Sequence, residues 1–211
     1  DTPAVENVTV TVVDAAKTYE LTVSAGTGIR DQVAYQAPAG KVFAGWFADQ
    51  AYTTPADLDQ VTQDTTIYAK YVSDTYLTLR YRNVGLFRSR NVKLYAALDS
   101  TDYAEAGFVI DGKAVSCPIT KDAYTAFFLY GFVINGVEIP AASVSSRYGI
   151  YTARFLFSSV SRNAKLAVLK YDVSGLRRGA SLEITPYWVT LDGTTVYGTT
   201  QTLTYGRFGL M

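Results

Sequence analysis

The 211-residue chain contains no histidine, one cysteine and one methionine. Without histidine, Ser-His-Asp and Cys-His nucleophilic mechanisms are excluded, because each needs an imidazole to carry the proton. Histidine-bearing zinc sites are excluded as well, and a single thiol cannot build a thiolate cage. Cys117 has no partner for an intrachain disulfide. Next to Pro118 and a strand-like run, it is expected to be a small buried residue. Charge of either sign is not in excess: 19 Lys+Arg balance 19 Asp+Glu. Nothing global therefore draws the chain to nucleic acid or to an anionic membrane. No apolar run reaches the roughly 18 residues that a membrane span needs. No basic segment followed by an apolar stretch opens the chain, which starts at Asp1 and reads as a mature or excised fragment. No cofactor is implied.

What is present points to strands. Hydrophobic residues make up 48% and charged residues 18%, with 17 Tyr and 10 Phe, which is ample material for a packed core. Aromatic and β-branched residues recur, while long Glu/Lys/Leu runs are missing. The length leaves room for two domains. NVTVTVV at 7–13 and TYELTVS at 18–24 alternate, with DAAK as the turn of a hairpin. A short helix is expected within 28–36, ended by Pro38 and Gly40. Another is expected to start at 53–57, with Thr54 as its cap and Pro55 in the first turn. Strands follow at 41–47 and 65–72.

The polar joint SDT at 73–75 divides domains 1–72 and 76–211. Beyond it strand-like runs recur: YLTLRYR, NVKLYAALD, AGFVIDG, AYTAFFLYGFVI, GIYTARFLFSSV, AKLAVLKYDV, SLEITPYWVTL and TTVYGTTQTLTY. Such recurrence suggests a sandwich or barrel. Asp192-Gly193 predicts a two-residue hairpin, since both turn positions need positive φ, and Asn135-Gly136 is a second such site.

Residues 26–72 carry an ordered pattern. It runs through Pro38, Gly40, Phe43, Gly45, Trp46, Phe47 and Asp49 to Thr62, Asp64, Thr66, Ile67, Tyr68, Ala69 and Tyr71. It resembles the Listeria–Bacteroides repeat, also called the internalin B-repeat. In that family the last aromatic is usually Trp, where Tyr71 stands here. Residues 7–25 match it only by pattern. The resemblance implies a β-grasp-like module with one short helix, found in secreted and surface proteins of bacteria. Residues 76–205 more faintly resemble β-sandwich modules of Gram-positive surface proteins, through YAEAGFVID, YTARFLF and YWVTLDGTTVYG. The expected fold class is therefore mainly β: a grasp-like repeat module followed by an antiparallel β-sandwich, Ig-like or jelly-roll.

Physical reading of the repeat gives its residues structural tasks. Trp46, Phe43 and Phe47 would supply a small core, with Tyr68 beside them. Gly45 would allow close approach of backbone or a ring. Asp49 would end the strand in a side-chain-capped turn.

Several other groups could carry chemistry. Asp99, Asp102 and Glu105 fall within seven residues and could ligate Ca²⁺ or serve as a glycosidase acid and base. The bland reading is a solvated loop. RYRNVGLFRSR at 80–90 gathers four Arg, with Arg80 and Arg82 on one strand face, and could meet phosphate or sulfated sugar. A solvated, locally paired face is the alternative. Tyr187, Trp188 and Tyr197 lie near one hairpin and could stack on sugar faces. Tyr187 and Trp188 point to opposite faces of a strand, so one is expected in the core and the other more exposed.

The function expected is a non-enzymatic structural or adhesive fragment of an extracellular bacterial protein, secreted or at the cell surface, meeting a host or matrix protein or a glycan. The rivals are a carbohydrate-binding module and a carboxylate hydrolase.

Overall fold

The computed structural model describes residues 6–84, 91–99, 102–120, 132–134, 137–139, 167–206 and 209–210. Among the described residues the fold is mainly β, in several sheets, and no helix occurs. Two compact units result. The first comprises residues 1–74 with 189–196, and the second comprises 75–188 with 197–211. Residues 189–196, which sequence reading leaves in the C-terminal domain, thus group with the first unit.

The first unit is a four-stranded sheet of β1 (Asn7–Val13), β2 (Thr18–Ser24), β3 (Lys41–Phe47) and β4 (Thr65–Ser73). Its order is β2-β1-β4-β3, with β1 and β4 parallel and the other pairs antiparallel. The Asp14 N–H to Lys17 C=O bond (3.0 Å) closes the β1–β2 hairpin. Strict Val/Thr alternation buries Val8, Val10 and Val12 on one face of β1, with Val23, Ile67 and Ala69 buried on its neighbours. The two long connections add Ile29 from 25–40, and Ala56, Leu58 and Val61 from 48–64.

Neither expected helix forms, and tertiary hydrogen bonds explain both. In 28–36 one turn closes, with the Gln32 and Val33 N–H groups donating to the Ile29 carbonyl (2.8 and 3.1 Å). It does not propagate: the Ala34 N–H, which would continue it, goes to the Tyr19 hydroxyl (3.0 Å), while the Ile29 N–H donates to Leu58 C=O (2.8 Å). At 53–57 the chain instead runs back along the outer edge of β3. Ala48 N–H donates to Thr54 C=O and Ala56 N–H to Trp46 C=O (both 2.9 Å), with Pro55 opposite Phe47. Pro55, which has no N–H, is tolerated because its position in this pairing does not call for one.

β3 contains a bulge. The register shifts between Phe43 and Gly45, so that Phe43 faces Tyr71 while Trp46 faces Ala69. Simple alternation would put residues 43 and 46 on opposite faces. The extra residue puts both on the core face, where their rings meet edge to face at 5.5 Å. Phe47 and Gly45 take the other face, where the Lys70 ammonium lies 5.2 Å from the Phe47 ring centroid. Tyr68 stands opposite Phe47 and is half-buried.

The second unit holds three sheets among its described residues. β5 (Arg80–Val84), β6 (Asn91–Leu98) and β11 (Ala167–Val173) order as β11-β6-β5. β9 (Phe132–Ile134) pairs with β10 (Val137–Ile139). β7 (Glu105–Ile110), β8 (Lys113–Ser116), β12 (Ser181–Val189), β14 (Gln201–Gly206) and β15 (Gly209–Leu210) order as β15-β14-β12-β7-β8, and β13 (Thr195–Tyr197) enters this unit only at Tyr197. Ile134 faces Val137, leaving Asn135-Gly136 as the connection, though those two residues lie outside the described set. The GIYTARFLFSSV run and residues 85–90 of the Arg-rich stretch also lie outside it.

Trp46 is 1% exposed, so truncating it empties the centre of the first unit. Trp46→Ala is expected to cost about 3–5 kcal/mol in chemical denaturation. Trp188, buried in the second unit, remains as a separate fluorescent reporter. A loss below about 1 kcal/mol would contradict a core role for Trp46.

Candidate functional site

Asp192 connects residues far apart in sequence. The loop carrying it differs from the two-residue hairpin expected at Asp192-Gly193. Thr190 N–H donates to Thr194 C=O (3.0 Å) and Gly193 N–H to Thr190 C=O (2.9 Å), which makes Leu191, Asp192 and Gly193 a three-residue loop. Only Gly193 has positive φ (87°). This is a turn followed by a left-handed residue, the common three-residue alternative to the two-residue hairpin. The tight two-residue turn occurs at Asp111-Gly112, where both φ values are positive (48° and 78°) and Ile110 pairs with Lys113.

The loop turns the Asp192 side chain inward, and the residue is buried. Oδ1 accepts the Thr194 N–H (3.2 Å) and the Thr194 hydroxyl. Oδ2 accepts the Trp46 N–H at 2.8 Å. That N–H lies on the outer edge of β3, on the same side as the Trp46 carbonyl bonded to Ala56. A carboxylate thus closes a sheet edge that would otherwise offer a free donor. Gly45 makes the approach possible: its φ is 127°, and a Cβ there would lie 2.9 Å from Asp192 Oδ2 and 3.4 Å from Thr190 Cβ.

Two further polar links brace the first unit. Asp14, also buried, accepts the Tyr71 hydroxyl on Oδ1 and the Ala16 and Gln36 N–H groups on Oδ2 (3.3 and 3.4 Å). Burial first, then this hydrogen bond, pushes Tyr71 above the ordinary tyrosine range. Arg30 donates from Nε to Asp59 (3.0 Å), and its terminal nitrogens lie against Gly193. Arg30 Nη1 is buried without a partner.

Asp49 caps the turn after β3 as expected, accepting the Thr54 N–H (2.7 Å) and the Thr53 N–H and hydroxyl (3.2 and 3.1 Å). The Thr54 and then the Thr53 hydrogen bonds hold it below the usual carboxylate range. Its partner Thr54 is therefore no helix cap.

The aromatic candidates of the C-terminal hairpin separate. Trp188 is fully buried and stacks on Tyr103 (4.4 Å between centroids, 16° between planes). Tyr187 is buried too, so the expectation that one of this pair is more exposed fails. Pro186 and Trp188 are both buried beside it, so three consecutive residues of β12 are covered and both of its faces are buried here. The Tyr187 hydroxyl donates to Glu105 (2.6 Å). Tyr197 alone of the three is open, at 60% exposure, with its ring 6.3 Å from that of Tyr187.

The carboxylate candidates are spent in the same way. Asp99 accepts the Tyr103 hydroxyl, Glu105 the Tyr187 hydroxyl, and Asp102 is exposed. Burial and the neighbouring acids push Tyr103 and Tyr187 above the ordinary tyrosine range. Among the described residues no group of three potential ligands is placed to hold a metal ion, so the Ca²⁺ set Asp99, Asp102 and Glu105 is not assembled. Cys117 is buried, and burial pushes its thiol up to about 11. Arg80 is exposed. Arg82 faces Lys93 in register, and Lys93 pairs with Asp172 (3.0 Å).

Sequence reasoning missed Asp192, Asp14 and Tyr71 as linked groups. Asp-Gly announces a turn, and nothing in that dipeptide says where the carboxylate points. In comparisons with known proteins, no family model matches the chain, and no curated protein matches it.

Asp192→Ala is expected to destabilise the first unit by about 1.5–3 kcal/mol, because the Trp46 N–H loses a charged acceptor. Asp192→Asn keeps an acceptor oxygen and should lose less. Amide exchange at Trp46 reads the difference, and equal exchange in all three proteins would contradict the cap.

Acid and alkaline limits follow from the shifted groups. Asp49 and Asp59 are depressed in the fold, so their contribution is full above the unfolded value of about 3.9 and lost as pH falls below it. Asp49→Asn should flatten the acid limb of a stability–pH curve. Tyr71, Tyr103 and Tyr187 are raised, so their contribution is present below about pH 10 and lost as pH climbs above it. In an ultraviolet titration these three should ionise only with alkaline unfolding; free ionisation of all tyrosines near pH 10 would contradict it.

Proposed function

We propose that this chain is a non-enzymatic fragment of a bacterial secreted or cell-surface protein, a structural or adhesive piece in which a Listeria–Bacteroides repeat-like, β-grasp-like module precedes an antiparallel β-sandwich. The observation that carries the reading is the fate of the pattern residues. Phe43 and Trp46 are core. Gly45 admits the Asp192 carboxylate. Asp49 caps a turn. Asp64 accepts the Thr9 N–H (2.7 Å) where β1 meets β4. Each is used to hold the module together, as expected of a scaffold repeat. The sheet order β2-β1-β4-β3 with a parallel central pair supports the grasp-like description. The Tyr71 hydroxyl on Asp14 gives the departure from Trp at that position a physical use.

In this role the module holds its neighbour away from a surface and resists unfolding. The partner is a host or matrix protein or a glycan. The carbohydrate-binding reading is favoured by one observation, the exposed ring of Tyr197. Tyr187 and Trp188, its aromatic neighbours in the hairpin, are buried and do not share a sugar platform with that ring.

Solid-phase binding to a panel of matrix proteins, run beside a glycan array and a glycosidase substrate screen, tests the choice. The expected result is saturable protein binding, flat glycan signals and no turnover, all unchanged in Tyr197→Ala. Glycan binding abolished by Tyr197→Ala would move the assignment to a carbohydrate-binding module. Turnover abolished by Asp99→Asn or Glu105→Gln would move it to a hydrolase.

A further inference from the structure

The two edges of the first sheet are treated differently. On β3 both outward groups of Trp46 are taken: its C=O accepts the Ala56 N–H and its N–H donates to the Asp192 carboxylate. Among the described residues no strand pairs with the outer side of β2, and its outward groups can be identified. Thr9 N–H donates to Asp64 next to β4, so the odd-numbered residues of β1 turn toward β4 and the even-numbered ones toward β2. The flanking bonds, Ala25 N–H to Glu6 C=O and Asp14 N–H to Lys17 C=O, agree with this phase. In the β1–β2 register Tyr19, Leu21 and Val23 therefore bond to β1, and Thr18, Glu20 and Thr22 turn their N–H and C=O outward. All three are exposed. β2 has no proline, no lysine and no bulge; Glu20 is its one charge, and Lys17, just before the strand, lies over the Tyr19 ring (4.8 Å).

The strand is also self-complementary. Tyr19, Leu21 and Val23 lie on the core face, and Thr18, Glu20, Thr22 and Ser24 on the other. If β2 of a second copy runs antiparallel with Leu21 facing its own equivalent, Tyr19 faces Val23 and Glu20 faces Thr22 of that copy. The outward residues then meet as the hydrogen-bonded pairs, and the apolar residues meet across the two-fold axis on one continuous face. Glu20, the only charge in the strand, is opposed by a neutral hydroxyl rather than by its own copy. A one-residue slip would set apolar against polar faces, so the register is specified.

We propose that the β2 edge is a homotypic docking strand, through which two copies of this chain join their first sheets by antiparallel β2–β2 addition. This inference does not depend on the surface-protein reading. One short edge buries little area, so the dimer is weak and concentration-dependent, suited to chains held side by side at high local density.

Sedimentation equilibrium of the full chain, up to about millimolar concentration, tests it through the Glu20–Thr22 pairing. Both side chains are exposed and turn away from the core, and unchanged thermal unfolding verifies that each variant is folded. Thr22→Glu sets like charges opposite each other twice and should loosen the dimer about threefold to tenfold. Thr22→Lys should tighten it by a similar factor. Glu20→Lys combined with Thr22→Glu restores opposite charges and should recover association. A strictly monomeric chain would overturn the proposal. So would Thr22→Glu and Thr22→Lys acting in the same direction or not at all, which would show association through another surface.

Discussion

A single hydrogen bond, from the Trp46 N–H to the Asp192 carboxylate, constrains much of the first unit. It requires a buried acid, and a buried acid needs donors. Thr194 supplies two of them from within the loop, and Trp46 supplies the third. It also requires that nothing stand between the carboxylate and β3, which Gly45 satisfies by having no side chain. The positive φ of Gly45 accompanies the bulge that brings Phe43 and Trp46 onto one face. Core packing, edge protection and the attachment of a distant loop are therefore one arrangement seen from three sides.

Polar groups elsewhere follow the same logic. Asp14 with Tyr71, Asp99 with Tyr103 and Glu105 with Tyr187 each set an acid against a tyrosine hydroxyl. In a chain without histidine and rich in tyrosine, this pairing lets the aromatic body pack while its polar tip is satisfied. The carboxylates and aromatics that looked like binding chemistry in sequence are largely absorbed by it. Tyr197 stays outside the pattern because β13 ends there and its ring projects from the strand.

Local signals were legible where the physics is local. The Val/Thr alternation of 7–13, the DAAK turn, the aromatic core at 43–47 and the Asp49 cap involve neighbours in the chain. The helices expected at 28–36 and 53–57 are absent because their backbone groups bond outside the segment: to Leu58 and Tyr19 for the first, and to Ala48 and Trp46 for the second. Propensity over one turn is weaker than a row of tertiary hydrogen bonds. The same reason hid the site residues. Tyr187 and Trp188 look amphipathic in alternation, yet both are buried: Trp188 stacks on Tyr103 and the Tyr187 hydroxyl reaches Glu105.

The sequence by itself determined that the protein is built of strands, that histidine chemistry is closed to it, and that Trp46 and its companions form a core rather than a platform. The first two follow from composition and from periods of two residues, and the third from the ordered aromatic pattern that runs from Phe43 to Tyr71. Only the tertiary structure decided that Asp192 caps β3 at Trp46, that residues 189–196 group with the first unit, and that among the described residues no strand pairs with the outer side of β2. The first depends on a backbone group that finds its partner 146 residues away, and the others on which segments meet in the fold; no local pattern records either.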